Sequence, residues 1–319
     1  MGKTQLAKPF VKWAGGKGQL IKQIETYLPD RFDDMQTITY IEPFVGGGAM
    51  LFHMLNEHSN IVRAIINDIN SNLITAYRTI QAQPELLIER LAEIQAEYLE
   101  LDEKHRQEYF YKKRELFNSD YTNDVENTAM FIYLNRTCFN GLYRENSKGK
   151  FNVPFGRYHN PTICDADTIR YDSELLHRVE ILHGDYAQVE NFINGDNTFI
   201  YFDPPYRPLN ATSSFNSYVK EPFNDGEQIR LKHFFSKITE LGSLSILSNS
   251  DCSAKNPNDT FLEDLYGEFY INRVYASRMV NANVTKRGKL TELLISNYEV
   301  NSKSYDSLVP NIDLVAEPF

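Results

Sequence analysis

One apolar run that ends on an acid constrains this chain more than any other feature. Phe199-Ile200-Tyr201-Phe202 is followed directly by Asp203-Pro204-Pro205-Tyr206. A short continuous apolar run reads as a buried β-strand. In an open α/β sheet the ligand crevice lies outside the carboxyl ends of the strands. The two prolines remove two backbone N–H donors and stiffen the loop. A carboxylate, carbonyl acceptors and a flat ring remain, which suits a planar molecule carrying an amino group.

The rest of the chain supplies the sheet. Thr37–Phe44 reads as a strand, Gly46-Gly47-Gly48 turns it, and Ala49–Asn56 reads as a helix. Val62–Asn67 reads as the next strand and ends at Asp68. The pattern then changes to helix from Ser71 to about Phe139, with Leu87, Leu91, Ile94, Tyr98 and Leu101 on one stripe behind Pro84. Asn140–Arg157 is turn-rich, and Ser147-Lys148-Gly149 suits a hairpin tip. Alternation resumes at Val179–Gly184, Thr198–Phe202, Ile229–Leu241, Leu244–Leu247 and Leu290–Tyr298. The expected architecture is an α/β core, residues 1–71 and 165–300, interrupted by a mostly helical insertion at 72–164 that carries a β-hairpin. The tail 301–319 shows no pattern and is expected to be disordered.

Strand, acid, glycines, helix is the order in Tyr40-Ile41-Glu42-Pro43-Phe44-Val45-Gly46-Gly47-Gly48. Glycines there let backbone approach a ligand and open the helix N-terminus. Asp68, about twenty residues on, stands where an acid bonds ribose hydroxyls. The glycines do not follow GxGxxG, the spacing that a pyrophosphate needs, so a single-nucleoside cofactor such as S-adenosylmethionine fits better than NAD. A second glycine loop, Trp13-Ala14-Gly15-Gly16-Lys17, fails as a P-loop, because Val11 and Gly18 stand where Gly and Ser or Thr are required. Trp13 is a candidate to pack on the cofactor and Lys17 to pair with its carboxylate.

Charge is uneven along the chain. The net charge is −10, yet Arg136, Arg144, Lys148, Lys150 and Arg157 fall in one segment with Glu145 as its one acid. Arg273, Arg278, Lys286, Arg287 and Lys289 form a second strip, and Lys3, Lys8, Lys12, Lys17 and Lys22 a third. An acidic body with basic strips can bind a polyanion through one face. Cys138, Cys164 and Cys252 form no CxxC pair and fit a reducing cytoplasm. With the seven scattered histidines they suggest no zinc set, and no metal is expected. No apolar run is long enough to span a membrane, and the N-terminus lacks a signal-peptide core.

Together these motifs resemble the DNA adenine-N6 methyltransferases of the Dam/DpnII type, the α group of the D12 class. The order FVKWAGGK, EPFVGGG, helical insertion, DPPY is that of the family. Asn135–Arg144, Gly149–Tyr158 and Arg287–Leu294 resemble further family segments, so the likeness runs from about Pro9 to Glu299. It implies a Rossmann-like core that uses S-adenosylmethionine, leaves S-adenosylhomocysteine, and methylates the N6 amine of a flipped adenine, with GATC as the expected site. It implies Asp203, Pro204 and Tyr206 as catalytic residues. It implies Trp13, Lys17, Glu42, Gly46, Gly48, Asp68, Asp185 and Asp203 around the cofactor. Arg144 matches a guanine-reading arginine, and Leu142 and Pro154 match apolar contacts to bases. Phe139 matches a wedge beside the flipped base, and Lys12 matches a DNA-touching lysine. Asn140 and Tyr158 fall in the same DNA-binding segments, while Arg136, Lys148, Lys150 and Arg157 are assigned to phosphates.

The nearest rival is an N4-cytosine methyltransferase, which shares the xPPY loop but more often carries Ser first. A catalytically silent DNA-binding relative would show damage in DPPY or the glycine loops, and all are intact. Double-stranded DNA is the expected partner, a restriction endonuclease acting on the same site a further candidate, and a cytoplasmic monomer or weak dimer the expected form.

Overall fold

The computed structural model describes residues 6–15, 17–119, 123–208, 223–276 and 290–300. The N-terminal arm leads into α1 (Ile21–Glu25), β1 (Ile38–Glu42), α2 (Ala49–Glu57) and β2 (Ile61–Asp68). Four helices follow: α3 (Ser71–Ala82), α4 (Pro84–Glu100), α5 (Glu103–Phe117) and α6 (Asp124–Thr137). Then come α7 (Ala166–Leu176), β3 (Val179–His183), β4 (Thr198–Phe202), α8 (Asp225–Glu240), β5 (Leu244–Ser250), α9 (Phe261–Leu265), β6 (Tyr270–Ala276) and β7 (Leu290–Ser296).

The strands make one sheet in the order β3-β2-β1-β4-β5-β7-β6. β1 to β5 are parallel, and β7 runs antiparallel between β5 and β6. The order reverses between β1 and β4, so the crevice outside their carboxyl ends is the topological switch point. Successive side chains leave opposite faces of a strand. Tyr40 and Tyr201 therefore join the core on the α1–α7 side, while Ile41, Ile200 and Phe202 join the one under α8 and α9. Covered on both faces, β4 is buried throughout, which is why Phe199–Phe202 is an apolar run rather than an alternation.

α3 packs on β2 and β3 on one side and on α6 on the other. α6 also meets α4 and α5, and every residue from Thr128 to Asn135 is buried. A helix surrounded in this way needs no polar face. Side chains of Asn70, Asp102 and Asn123 accept from the first free N–H groups of α3, α5 and α6. These caps and Pro84 at the head of α4 divide the expected helical block into four pieces. Leu101, placed on the α4 stripe, lies just past the helix end, and Ile88 is buried in the stripe instead.

The expected hairpin is present as a turn rather than a strand pair. Asn146 N–H donates to Lys150 O at 2.9 Å, and antiparallel bridges join Glu145 to Phe151 and Cys138 to Phe155. Left-handed backbone at Asn140 and Arg157 interrupts regular pairing around it. The strand β6 has no counterpart among the expected elements. The tail from residue 301 lies outside the described residues. Among the described residues no helix is long and apolar enough to cross a membrane.

Candidate active site

The switch-point rim is built from three loops. After β1 come Glu42 and the glycines, after β4 comes Asp203-Pro204-Pro205-Tyr206, and the N-terminal arm brings Trp13 and Lys17 across them. Gly16, between those two, lies outside the described residues.

Gly48 has φ of 75° and precedes α2 without a side-chain cap. A Cβ there would stand 2.4 Å from Tyr77 Oη. Tyr77 needs that position, because its hydroxyl donates to Gly46 O at 3.0 Å. Trp13 lies against the same loop, and a Cβ on Gly47 would meet Trp13 Cβ at 2.8 Å. The glycines thus let Trp13, Tyr77 and Phe52 pack directly on the backbone at the head of α2.

Asp68 fixes this loop from β2. One carboxylate oxygen accepts Gly46 N–H at 3.0 Å and the other Asn70 N–H at 2.9 Å. Burial raises its pKa, and these N–H groups oppose the rise. Glu42 is buried and accepts from Tyr40 Oη at 2.9 Å. Burial holds its carboxyl well above the usual range, with Tyr40 opposing and Asp203 and Asp68 adding to the rise. Asp185 follows β3, caps the next turn, and pairs with Arg230 at 2.7 Å.

Asp203 stands at the end of β4, with Lys17 Nζ 3.0 Å from its Oδ1. Burial pushes the Asp203 carboxyl up to about 6, with Lys17 opposing and Glu292 adding. Burial lowers Lys17, but Asp203 and Glu292 outweigh it, and the ammonium ends above its ordinary value. Tyr206 accepts from Lys17 and donates to Glu292 at 2.6 Å. Gln228 of α8 holds Pro205 O at 3.2 Å, while Pro204 O takes no hydrogen bond among the described residues. Arg207 anchors the loop exit through Asp225 and Asp259. The Asp203 carboxylate thus stands at the switch point in a loop tied down through Lys17, Gln228 and Arg207.

Beside the crevice, Asn135 ties the arm to α6. Its Oδ1 accepts Lys12 N–H, and its Nδ2 donates to Lys12 O, both at 2.9 Å. The Trp13 ring stacks on Tyr143 at 5.2 Å between centroids. Phe139 is half exposed, and its N–H donates to Pro154 O at 2.8 Å. Asn140, Pro154, Arg144, Lys148, Lys150, Arg157 and Lys12 are exposed, while Leu142 and Tyr158 are half-buried. Arg144 Nε donates to Asn152 Oδ1 at 2.7 Å.

Arg136 departs from its expected place among the phosphate contacts. It is turned inward and donates to Phe10 O at 2.9 Å, because the arm needs a donor where it crosses α6. Arg273, counted in the second basic strip, is neutralised by Asp251 and Glu263, each at 2.8 Å. Arg278, Lys286, Arg287 and Lys289 lie outside the described residues. Lys17 leaves the third strip for the site itself. Arg144, Lys148, Lys150 and Arg157 remain as exposed cations.

Residues 13–280 match the D12 class N6 adenine-specific DNA methyltransferase family. The chain belongs to that family. The methyltransferase is 47% identical over 294 residues to the type II methyltransferase M.MjaIII of Methanocaldococcus jannaschii, covering 91% of this chain and 99% of that one. It is 39% identical over 297 residues to the type II methyltransferase M1.LlaDCHI of Lactococcus lactis subsp. cremoris, covering 91% and 95%. It is 31% identical over 293 residues to the DNA adenine methylase of Escherichia coli strain K12, covering 90% and 94%. S-adenosylmethionine is its methyl donor, DNA its substrate and the adenine N6 amine its target.

The site fits that donor. The Gly46–Gly48 loop, the indole of Trp13 packed on it, and the carboxyl groups of Glu42 and Asp68 stand at the carboxyl ends of β1 and β2. Sequence reasoning missed Glu292, which closes the Lys17–Tyr206 cluster from β7. Its signals were its place in the family-like segment Arg287–Leu294 and an acid inside an otherwise apolar strand. Asn135 and Tyr143 were quoted as motif letters without roles, and Gln228 gave no signal at all.

Proposed function

We propose that the methyltransferase acts on the adenine of GATC after that base has left the duplex, and that Asp203-Pro204-Pro205-Tyr206 holds the amine. The observation that supports this reading is the Asp203 carboxylate at the switch point, followed in sequence by Pro204, whose carbonyl takes no hydrogen bond among the described residues. An adenine N6 lone pair is delocalised into the ring, so the amine is a poor nucleophile. Two acceptors on its two N–H groups favour a pyramidal nitrogen. The carboxylate also stands where positive charge develops. Tyr206 presents a ring beside the base, with its hydroxyl fixed by Lys17 and Glu292. The donor supplies an already activated methyl on a sulfonium centre. The protein's contribution is alignment for in-line transfer.

Trp13 and Lys17 arrive on one arm, and Asn135 and Tyr143 join that arm to the segment around Arg144. Cofactor and DNA segments are thereby one packed unit. Arg144 reads a guanine, Leu142 and Pro154 meet base edges, Phe139 fills the stack, and Lys12, Lys148, Lys150 and Arg157 hold phosphates. Asn140 and Tyr158 complete this face, and Asp185 completes the cofactor rim. Base extrusion follows from the depth of the loop, since an amine inside a duplex cannot reach it.

The test uses labelled S-adenosylmethionine and plasmid DNA, followed by digestion with nucleases blocked by, or dependent on, adenine methylation at GATC. Label in adenine with protection at GATC supports the reading. Label in adenine without that protection rejects GATC, and label in cytosine favours the N4 reading.

A further inference from the structure

We propose that Glu25, His53 and His58 form a binding site for a divalent transition metal, zinc by ligand type, at the end of α2 away from the glycine loop. Glu25 is the last residue of α1, His53 lies within α2, and His58 follows α2 directly. One carboxylate oxygen of Glu25 and one ring nitrogen from each histidine lie within 4.8 Å of one another.

His58 is prepared as a ligand. Its Nδ1 is 2.6 Å from Asp33 Oδ1, and the side chain is 5% exposed. A carboxylate accepts a proton there, so Nδ1 carries the hydrogen and Nε2 presents its lone pair. A carboxylate behind a histidine is the usual support of a metal-bound imidazole. The Phe32 ring packs edge-on against His58 at 5.1 Å and holds its plane.

His53 Nε2 and His58 Nε2 are both buried and make no hydrogen bond among the described residues. Leaving a buried polar atom unpaired is unfavourable. His53 Nε2 lies 3.5 Å from Glu25 Oε2, beyond the usual reach of about 2.7–3.2 Å for a hydrogen bond. In a tetrahedral site with ligands near 2.1 Å, neighbouring ligand atoms stand about 3.4 Å apart. Two histidines and one glutamate leave a fourth position for water. The neutral nitrogens and single carboxylate favour zinc over calcium or magnesium, which prefer oxygen.

Place in the fold suggests what the ion does. The backbone N–H groups of Leu20 and Ile21 both donate to Lys17 O, so α1 continues the segment that carries Lys17. A metal joining Glu25 to α2 clamps that segment to the helix whose other end holds the glycine loop. The ion is a structural clamp, remote from the amine.

The test uses tag-free full-length protein, stripped with a chelator and titrated with zinc chloride against a chromophoric chelator. The expected result is one zinc per chain and a rise in melting midpoint with zinc. Cobalt(II) should give the visible bands of a four-coordinate nitrogen and oxygen site. His58 is buried, so the partly exposed His53→Gln and Glu25→Gln carry the test. Each should weaken binding at least about tenfold, and Asp33→Asn should weaken it about 10–100-fold. Three outcomes overturn the proposal: no saturable uptake, uptake unchanged in His53→Gln and Glu25→Gln, or a cobalt spectrum with thiolate charge-transfer bands.

Discussion

Lys17 Nζ lies 3.0 Å from Asp203 Oδ1, so the acid that ends β4 is held by a cation from the N-terminal arm. The two residues are 186 positions apart in sequence. Their contact joins the N-terminal arm to the loop that follows β4.

Asp203→Ala removes the carboxylate acceptor and should lower the single-turnover rate of methyl transfer about 10²–10³-fold or more, by analogy with loss of one electrostatic contact at a reacting atom. Circular dichroism should be unchanged, because Asp203 ends its strand rather than packing inside it. A single-turnover rate near that of the parent on duplex DNA would remove Asp203 from the chemistry.

The pH profile follows from the same carboxyl. Burial places its pKa at about 6, so the acceptor is charged above that value and lost as pH falls through it. The rate should therefore rise with pH across 6 and level off above. Lys17 opposes the rise in pKa, so Lys17→Met should move this acid limb upward. Initial rates between about pH 5 and 8, at saturating donor, check both points. An acid limb that stays in place in Lys17→Met would separate the pair from the reaction.

Arg144→Ala should lose sequence discrimination more than total affinity. A bidentate arginine–guanine contact is worth about 1–3 kcal/mol of discrimination. The ratio of kcat/KM on GATC to that on a one-base variant should fall accordingly. Lys148→Ala, by contrast, should weaken both duplexes alike and reduce the salt dependence of binding. Equal losses on both duplexes in Arg144→Ala would reassign it to the backbone.

Gly48→Ala should lower the melting midpoint sharply. The new Cβ meets the Tyr77 hydroxyl at 2.4 Å in a left-handed backbone, a conformation that alone costs about 1–2 kcal/mol for a non-glycine residue. Tyr77→Phe removes the clashing oxygen. The double variant should therefore be more stable than the sum of the two single losses, as thermal melts of all four proteins will measure.

Asp172 gives a stability prediction away from the site. It is buried in α7, accepts Lys8 N–H at 2.9 Å, and its other oxygen is unpaired among the described residues. Burial raises its pKa from 3.8 to about 8. The folded chain then holds a proton that the unfolded chain releases, so stability falls as pH rises between those values, by up to about 1.4 kcal/mol per unit. Asp172→Asn removes the titration. Its melting midpoint should fall less than the parent's between about pH 6 and 8.

By itself the sequence determined the parallel half of the sheet and the main chemical groups. β4 is legible because burial on both faces leaves an unbroken apolar run, and α2 because glycines precede it. Asp203, Asp68 and Glu42 are legible because each ends, or nearly ends, a strand. The helical block is legible as helix, while its division into four depends on caps at Asn70, Asp102 and Asn123 that periodicity does not register. β6 escaped because Arg273 interrupts its pattern, a charge that an exposed position on an edge strand tolerates and that Asp251 and Glu263 pair. Arg136 and Arg144 look alike in sequence, yet one is turned inward to Phe10 and the other stays on the surface. Glu292, Asn135 and the Glu25–His53–His58 cluster were decided by tertiary structure alone. Local pattern records how one segment meets solvent or core. The meeting of side chains from separate segments depends on strand order, and here the antiparallel insertion of β7 brings Glu292 beside Lys17.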